Sequence, residues 1–520
     1  MSGRTLRVAL GVFVILLGSY AFFWHSRDWN VSSRLMLTYA LVDRGQVSID
    51  GLEDHTGDRA RVGSHYYSDK QPGYSLLAVP PYLACRLLGL PPHPIGRRGE
   101  GFAYWPADYW ITLATSGVLT ASCGALLTIL AVWLGCDPGR AALVGLAYGL
   151  ATPAYVYATL AYGHQATACL LLISLATIER ARITGRPLAW ATLAGICAAI
   201  ASVVELQVGP VSALMGIYLL GLVLAKRLPF SSVLGFGLGA AGPTAILLIY
   251  NTVTFSSPFD MGYFHEDLAQ FRAVHSARNP LGLSRIDAGR AIELLFLPHR
   301  GLFFYAPILL LAIPGFFVLL WRRWSVAVVS LGACLAVFLV NLSYPEWTGG
   351  MSTGPRLLSP LLPFAMLLVA AIVAPWGRQG NETPRAKPTP WRSRSLRAWT
   401  GIAVLLAILG GVEMLMFQGV GGRLPPAPRG YAAETPFHRP WKEIVWPLWK
   451  GDPVPRWRGA ESDRFEPTLV SLRWPRAVSS VPPGWRWLQF VPLVAFQSAS
   501  IGLLMWGIKS HPASRRPRDA

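Results

Sequence analysis

Residues 30 to 81 read NVSSRLMLTYALVDRGQVSIDGLEDHTGDRARVGSHYYSDKQPGYSLLAVPP. Charge is dense here: Asp43, Asp50, Glu53, Asp54, Asp58 and Asp69 are interleaved with Arg34, Arg44, Arg59, Arg61 and Lys70, and Asp28 precedes them. On either side the charge thins out. Residues 6–24 and 109–135 are apolar blocks long enough to cross about 30 Å of hydrocarbon as helices. Further blocks follow near 141–158, 166–179, 188–204, 208–225, 231–252, 301–320, 325–342, 356–374, 398–416 and 487–507. Backbone polar groups find no water inside a bilayer, so a span is a helix or part of a closed barrel. The two-residue alternation of barrel strands is absent. The expected fold is all-α and integral to the membrane, a polytopic bundle of about 12 transmembrane helices with surface helices in the first outer loop.

Composition agrees. Of 520 residues, 52% are hydrophobic and 14% charged, against about 25% charged in soluble domains. The net charge of +19 does not point to nucleic acid, because the basic residues sit in short loops where membrane orientation accounts for them. Arg140, Arg180, Arg182, Arg186, Lys226, Arg227, Arg322 and Arg323 fall in alternate loops, whereas the loops near Gly163, Leu206 and Thr348 hold no Lys or Arg before Arg356. This pattern predicts both termini in the cytoplasm and outer segments at 25–108, 253–300 and 417–486, in a plasma (inner) membrane protein. Tyr74 to Leu90 holds Pro80, Pro81 and Arg86. It is expected at the interface, since counting it as a span would reverse every later loop. The first block lacks a small-residue cleavage site and is kept as a span. Cys85, Cys123, Cys136, Cys169, Cys197 and Cys334 form no CxxC pair, so no zinc site or disulfide framework is suggested. The expected division is a module over 1–375, a basic cytoplasmic linker over 376–397, and a C-terminal membrane region over 398–520.

Within the first loop, spacing predicts a short surface helix over Ser32 to Val42, capped by Ser32-Ser33. A carboxylate in a pocket can take the proton of a hydroxyl. Neighbouring Lys and Arg can hold a phosphate, Arg as a planar fork and Lys as a point charge. Together they suit a reaction on a lipid-linked phosphate at the membrane surface.

Arg34, Asp58 and the run Tyr66-Tyr67-Ser68-Asp69-Lys70-Gln71-Pro72-Gly73 resemble the first outer loop of the GT-C membrane glycosyltransferases, the group of protein O-mannosyltransferases and aminoarabinose transferases, in its bacterial branch. Two later stretches resemble the same group. One is Tyr250-Asn251 through Ser257 to Tyr263, followed by Pro298 to Phe303. The other is Trp347-Thr348-Gly349-Gly350 through Gly354-Pro355-Arg356. The resemblance covers residues 1 to about 375. It departs at 30–34, Asn-Val-Ser-Ser-Arg, where better-known branches carry an acidic pair.

The resemblance implies an inverting, metal-independent glycosyltransferase with no cofactor. It would move a sugar from a polyprenyl-phosphate donor to a protein, lipid or glycan acceptor on the outer face. It implies a base at Asp58 or else Asp69, with Asp54 and Asp28 behind them. Lys70, Arg356 and Arg34 would hold the lipid phosphate, and Tyr67, His164, Tyr263 and Trp347 would line the substrate pocket. His164 is read either as a pocket residue or as a helix cap at the interface. Glu205 is read as a functional acid or as a residue lying just above the hydrocarbon. His265-Glu266-Asp267 are read as sugar ligands or as a solvated loop. Gly235, Gly237 and Gly239 are read as small-residue helix packing. The rival functions are a lipid or solute transporter, which would show internal repeats and broken midplane helices, and an inactive scaffold.

Overall fold

The computed structural model describes residues 2–23, 25, 27–90, 106–350, 352–375, 390–419 and 491–509. The expected outer segment 417–486 lies outside them beyond residue 419, as does the linker up to residue 389.

The chain is an all-α integral membrane protein. Nine helices among the described residues are long and apolar enough to cross a membrane. This count differs from twelve for local reasons. The block at 141–158 is split into Pro138–Leu150 and a four-residue helix Ala154–Tyr157, because Pro153 disfavours helical backbone at Thr152. Gly163–Ala181 carries Gln165, Thr167, Ser174, Thr177 and Glu179, which dilute its apolar character. The two blocks at 301–320 and 325–342 share one helix, Ala312–Leu342, which breaks at Arg323 (φ −145°, ψ 68°).

The centre of the bundle is Leu362–Val373, all twelve of whose residues are buried. A helix apolar on every side belongs in the middle of a bundle. Elsewhere small residues let backbones touch. A Cβ on Gly195 would lie 2.0 Å from the Phe236 carbonyl, and one on Gly239 would lie 2.1 Å from that of Thr192. Gly235 and Gly239 therefore pack Ser231–Phe255 against Pro187–Val204, whereas Gly237 faces open space with no neighbour within 4 Å.

Helix α1 (Gly3–Ala21) leads into the first loop. Helix α2 (Trp29–Tyr39) follows, then an antiparallel hairpin of β1 (Arg59–Val62) and β2 (His65–Ser68), then helix α3 (Gly73–Leu87). Helix α2 starts earlier than spacing predicts. Its N-cap is Asp28, whose carboxylate accepts the Val31 N–H at 2.8 Å. An anion suits a helix N-terminus better than the neutral serines do. Helix α3 runs through Pro80 and Pro81. Fifteen residues reach about 22 Å, short of a bilayer core. Arg27 pairs with Asp108 at 3.0 Å with both side chains buried, tying the start of this loop to its end.

The loops close on one another. Ala60 bridges Glu266, Arg61 N–H donates to the His265 carbonyl at 2.8 Å, and Asp267 N–H donates to the Arg59 carbonyl at 2.9 Å. The second loop reaches the third through Ser284 N–H to the Ser343 carbonyl at 2.6 Å. The outer segments at 25–108 and 253–300 and the loop near Thr348 thus gather at one end of the bundle.

Candidate active site

The hairpin ends in Ser68-Asp69-Lys70, and α2 reaches it directly. Ser33 donates to Asp69 Oδ1 at 2.8 Å and lies 2.8 Å from the Ser68 hydroxyl. Lys70 Nζ sits 2.5 Å from Asp69 Oδ2 and 3.0 Å from Asp58 Oδ2. The Asp69 side chain is fully buried, while that of Asp58 keeps 15% exposure. Strand pairing carries a third carboxyl, Glu266, into the same place at 3% exposure. The solvated-loop reading of 265–267 is therefore corrected. Glu266 is buried, His265 Nε2 lies 2.9 Å from Asp260, and Asp267 pairs with Arg59 at 2.9 Å.

Three carboxyls around one ammonium cannot all stay charged. Burial, then the nearby charge of Asp69, pushes Glu266 up to about 10, so it is a neutral acid near pH 7. Burial raises Asp58 too, with Lys70 acting against it and Asp69 adding to it. For Lys70, burial pulls downward, but Asp58 and Asp69 together outweigh it and hold the ammonium well above its usual range.

Tyr263 closes the cluster, its ring 5.6 Å from Lys70 Nζ and stacked on His275 at 4.6 Å. This approach needs Gly262. A Cβ there would lie 2.7 Å from the Asp69 carbonyl oxygen and 2.8 Å from its Cα. Burial, with Lys70 adding to it, takes the His275 imidazole down to about 4.

A second cation stands nearby. The Arg356 guanidinium lies over the Tyr162 ring at 4.6 Å, and the Tyr162 hydroxyl donates to Asp28. Arg356 Nε is buried with no hydrogen-bond partner among the described residues. Its loop is held by Arg300, fully buried, whose guanidinium donates to the carbonyls of Thr348 (2.7 Å), Ser352 (2.8 Å) and Gly350 (2.8 Å). The left-handed φ of Gly349 and Gly350 (69° and 66°) lets that loop fold around the guanidinium.

Arg34 is placed differently from Lys70 and Arg356. Its side chain is 1% exposed and donates to Glu205 Oε1 at 2.5 Å and Asn30 Oδ1 at 3.1 Å. Glu205 is thus a buried ion-pair partner. His164, 5% exposed, lies 3.8 Å from Glu205 and is the second residue of its helix, whose N-cap position is Tyr162. Together with Gln207, Val208, Val337, Val340, Asn341, Leu357 and Pro360, His164 and Glu205 line a narrow cleft of about 10 Å³, roughly the room one water needs. Tyr67 turns to Phe255, ring to ring at 5.8 Å, which in turn stacks on His265 at 5.3 Å. Trp347 meets His299 at 6.4 Å. These two flank the cluster rather than enter it.

Sequence reasoning ranked Asp28 last and left Arg300 and Asn341 without roles. Asp28 has a signal in hindsight, as an N-cap residue two places before an Asn. Arg300 lies in the Pro298 to Phe303 stretch that resembles the glycosyltransferase group. Asn341 is a polar residue in an apolar block, which is itself a signal.

No family model matches this sequence, and no curated protein matches it. Among solved structures, the chain is similar to ArnT from Cupriavidus metallidurans bound to undecaprenyl phosphate, with 13% identity, a TM-score of 0.45, and coverage of 79% of this chain and 70% of that one. It is also similar to the archaeal oligosaccharyltransferase AglB from Archaeoglobus fulgidus in complex with an inhibitory peptide and a dolichol-phosphate. There the identity is 13%, the TM-score 0.46, and coverage 88% of this chain and 61% of that one, so the chain spans less than two thirds of the archaeal protein.

Proposed function

We propose that this chain is a GT-C type glycosyltransferase that moves a sugar from a polyprenyl-phosphate donor to an acceptor on the outer face of the membrane. The observation that carries this reading is the Asp58–Lys70–Asp69 cluster, with Arg356 near it, at the loop end of an apolar bundle. A transporter would need its charges along a path between the helices. Here they meet where loops from three parts of the chain converge.

The acceptor oxygen attacks the anomeric carbon from the face opposite the phosphate, and its proton passes to Asp58. The bond from that carbon to the phosphate oxygen breaks, its electron pair stays on the phosphate, and the configuration inverts. Asp58 is the proposed base because it retains exposure, whereas Asp69 is enclosed between Ser33 and Lys70. Lys70 and Arg356 take the lipid phosphate. Before reaction, Lys70 is shared by two carboxylates. As Asp58 gains the proton it loses its charge and its hold on Lys70, just as the departing phosphate gains a second negative charge. The ammonium then follows the charge, a stabilisation larger in the transition state than in the ground state. Nothing in this sequence of steps requires a metal. Arg34 positions Glu205 instead of touching phosphate. Tyr263 and His164 face the donor, with Tyr67 and Trp347 at the rim.

The test is turnover. Purified protein in lipid nanodiscs is given radiolabelled undecaprenyl-phosphate sugars and an envelope extract as acceptor source. Transfer of label by wild type, lost on Asp58→Asn, supports the reading. No transfer from any donor, or an undiminished rate in Asp58→Asn, overturns it or its base, respectively.

A further inference from the structure

Arg300 is a fully buried cation whose guanidinium is engaged by backbone. It donates to the carbonyls of Thr348, Gly350 and Ser352, and to that of His299 at 3.1 Å. None of these acceptors carries a charge. The groups that act on it electrostatically are Tyr305, Tyr157 and Arg356, and no carboxylate is among them. A buried charge is ordinarily paired. Arg27 and Arg34, buried like Arg300, face Asp108 and Glu205. Arg300 thus breaks a pattern that the chain keeps elsewhere. Carbonyl oxygens alone do not require a cation, because a neutral amide also donates to them and is far easier to desolvate.

The surroundings of Arg300 favour an anion. Arg356 stands at the same turn: a Cβ on Gly349 would lie 3.2 Å from Arg356 Nε and 3.5 Å from Ser352 Oγ. Tyr157 links the two cations. Its hydroxyl donates to the Thr353 carbonyl at 2.6 Å, and its ring lies 5.8 Å from that of Tyr162, over which Arg356 rests. Two buried polar atoms of this turn, Thr353 Oγ1 and Arg356 Nε, lack hydrogen-bond partners among the described residues. Both can donate, which suits phosphate oxygens. The two ends of the site also differ in charge. Lys70 is outnumbered by Asp58 and Asp69. At the arginine end there are two cations, and the carboxylate that reaches them is Asp28, by way of the Tyr162 hydroxyl.

We propose that Arg300 is a positioning residue with two tasks: it braces the turn that carries Arg356, and its charge supplies part of the positive field in which the lipid phosphate sits, without touching it. This rests on the polyprenyl-phosphate reading above. A field fixed in advance needs no rearrangement as the departing phosphate gains its second charge.

Charge and shape are separable at this position. Arg300→Lys keeps the charge and loses the planar fork, whereas Arg300→Gln keeps an amide donor and loses the charge. Arg300→Met is a second neutral variant, and melting temperatures show which variants fold. Full-length protein in nanodiscs is titrated with undecaprenyl phosphate. Arg300→Lys should bind within about threefold of wild type. The neutral variants should bind about ten- to a hundredfold more weakly, the reach of one unit charge several ångströms away. Phosphorus NMR of the bound lipid reads the field directly. The second ionisation of its phosphate should come at lower pH in wild type and Arg300→Lys than in the neutral variants, a difference that a brace alone would not produce. The proposal is overturned if Arg300→Lys folds yet loses about tenfold or more in affinity, if a neutral variant binds like wild type, or if the bound phosphate ionises alike in all of them. In each of those cases wild type still binds the lipid and the enzymatic reading stands. If wild type binds no undecaprenyl phosphate, both fall.

Discussion

Arg34 and Glu205 are 171 residues apart in the chain and meet at 2.5 Å, with 1% and 8% of their side chains exposed. Removing one partner leaves an uncompensated buried charge, which costs roughly 3–5 kcal/mol, whereas replacing both by apolar residues is far milder. Arg34→Met should therefore lower the melting temperature sharply, and Arg34→Met with Glu205→Met should recover most of the loss. A differential scanning measurement in detergent checks this. Equal loss in single and double variants would show that the pair does not matter as a unit.

Asp58 and Lys70 predict opposite effects on binding. Asp58→Asn should reduce kcat by about 10²- to 10⁴-fold, the usual weight of a general base. It should also leave undecaprenyl phosphate bound as tightly as before or more so, because Lys70 is released. Lys70→Met should weaken that lipid. Binding isotherms beside turnover rates separate the two. A weaker lipid complex in Asp58→Asn would count against the exchange of partners by Lys70.

Glu266 predicts a pH dependence of stability. Its folded value of about 10 lies above the ordinary 4.5, so the folded state holds a proton that the unfolded state releases. Its contribution is complete below about pH 4.5 and fades as pH rises toward 10. Glu266→Gln mimics the neutral acid permanently. Melting curves from pH 6 to pH 9 should fall more steeply for wild type than for Glu266→Gln. Parallel curves would mean that Glu266 is ionised in the folded protein.

Gly262→Ala places a methyl group within 2.7 Å of the Asp69 backbone, closer than real contacts allow. The second loop must back away and take Tyr263 from Lys70. Activity should drop at least tenfold with little change in melting temperature. Gly63→Ala, in the open hairpin turn where no neighbour lies within 4 Å, should retain activity despite its strained φ. A reversed ranking would show that the loop contact is dispensable.

The proposed orientation is tested with single cysteines at Ser64 and Ser395 in a cysteine-free background. A membrane-impermeant maleimide added to intact cells should label the first and not the second. Labelling of both would rule out the arrangement drawn from loop charge.

Much of this was legible in the sequence because the relevant physics is local. Apolar blocks report helices through composition alone, and Asp69 and Lys70 are neighbours in the chain. Two kinds of feature were not. Arg34 read as a free cation because nothing in its surroundings announces Glu205. The same holds for Glu266, whose burial depends on a strand pairing across the fold. The start of α2 lies elsewhere because Asp28 and the Ser32-Ser33 pair are comparable caps by type, and only the geometry shows that the Asp28 carboxylate reaches the Val31 N–H. Proline disfavours a helix interior, yet α3 runs through Pro80 and Pro81, held to the first loop by Tyr82 to Asp43 at 2.6 Å and Arg86 to Asp43 at 3.2 Å.

The pairing of β1 with residues 265–267 also bears on biosynthesis. Arg59 and Asp267 are 208 residues apart. At synthesis rates of about 5–20 residues per second, the hairpin waits roughly 10 to 40 s for its neighbour. During that interval β1 is an uncovered edge, open to any passing strand. The emerging chain therefore carries Asp58 and Asp69 well before Glu266 and Tyr263 arrive, and the proposed site stays incomplete until the later part of the chain has been made.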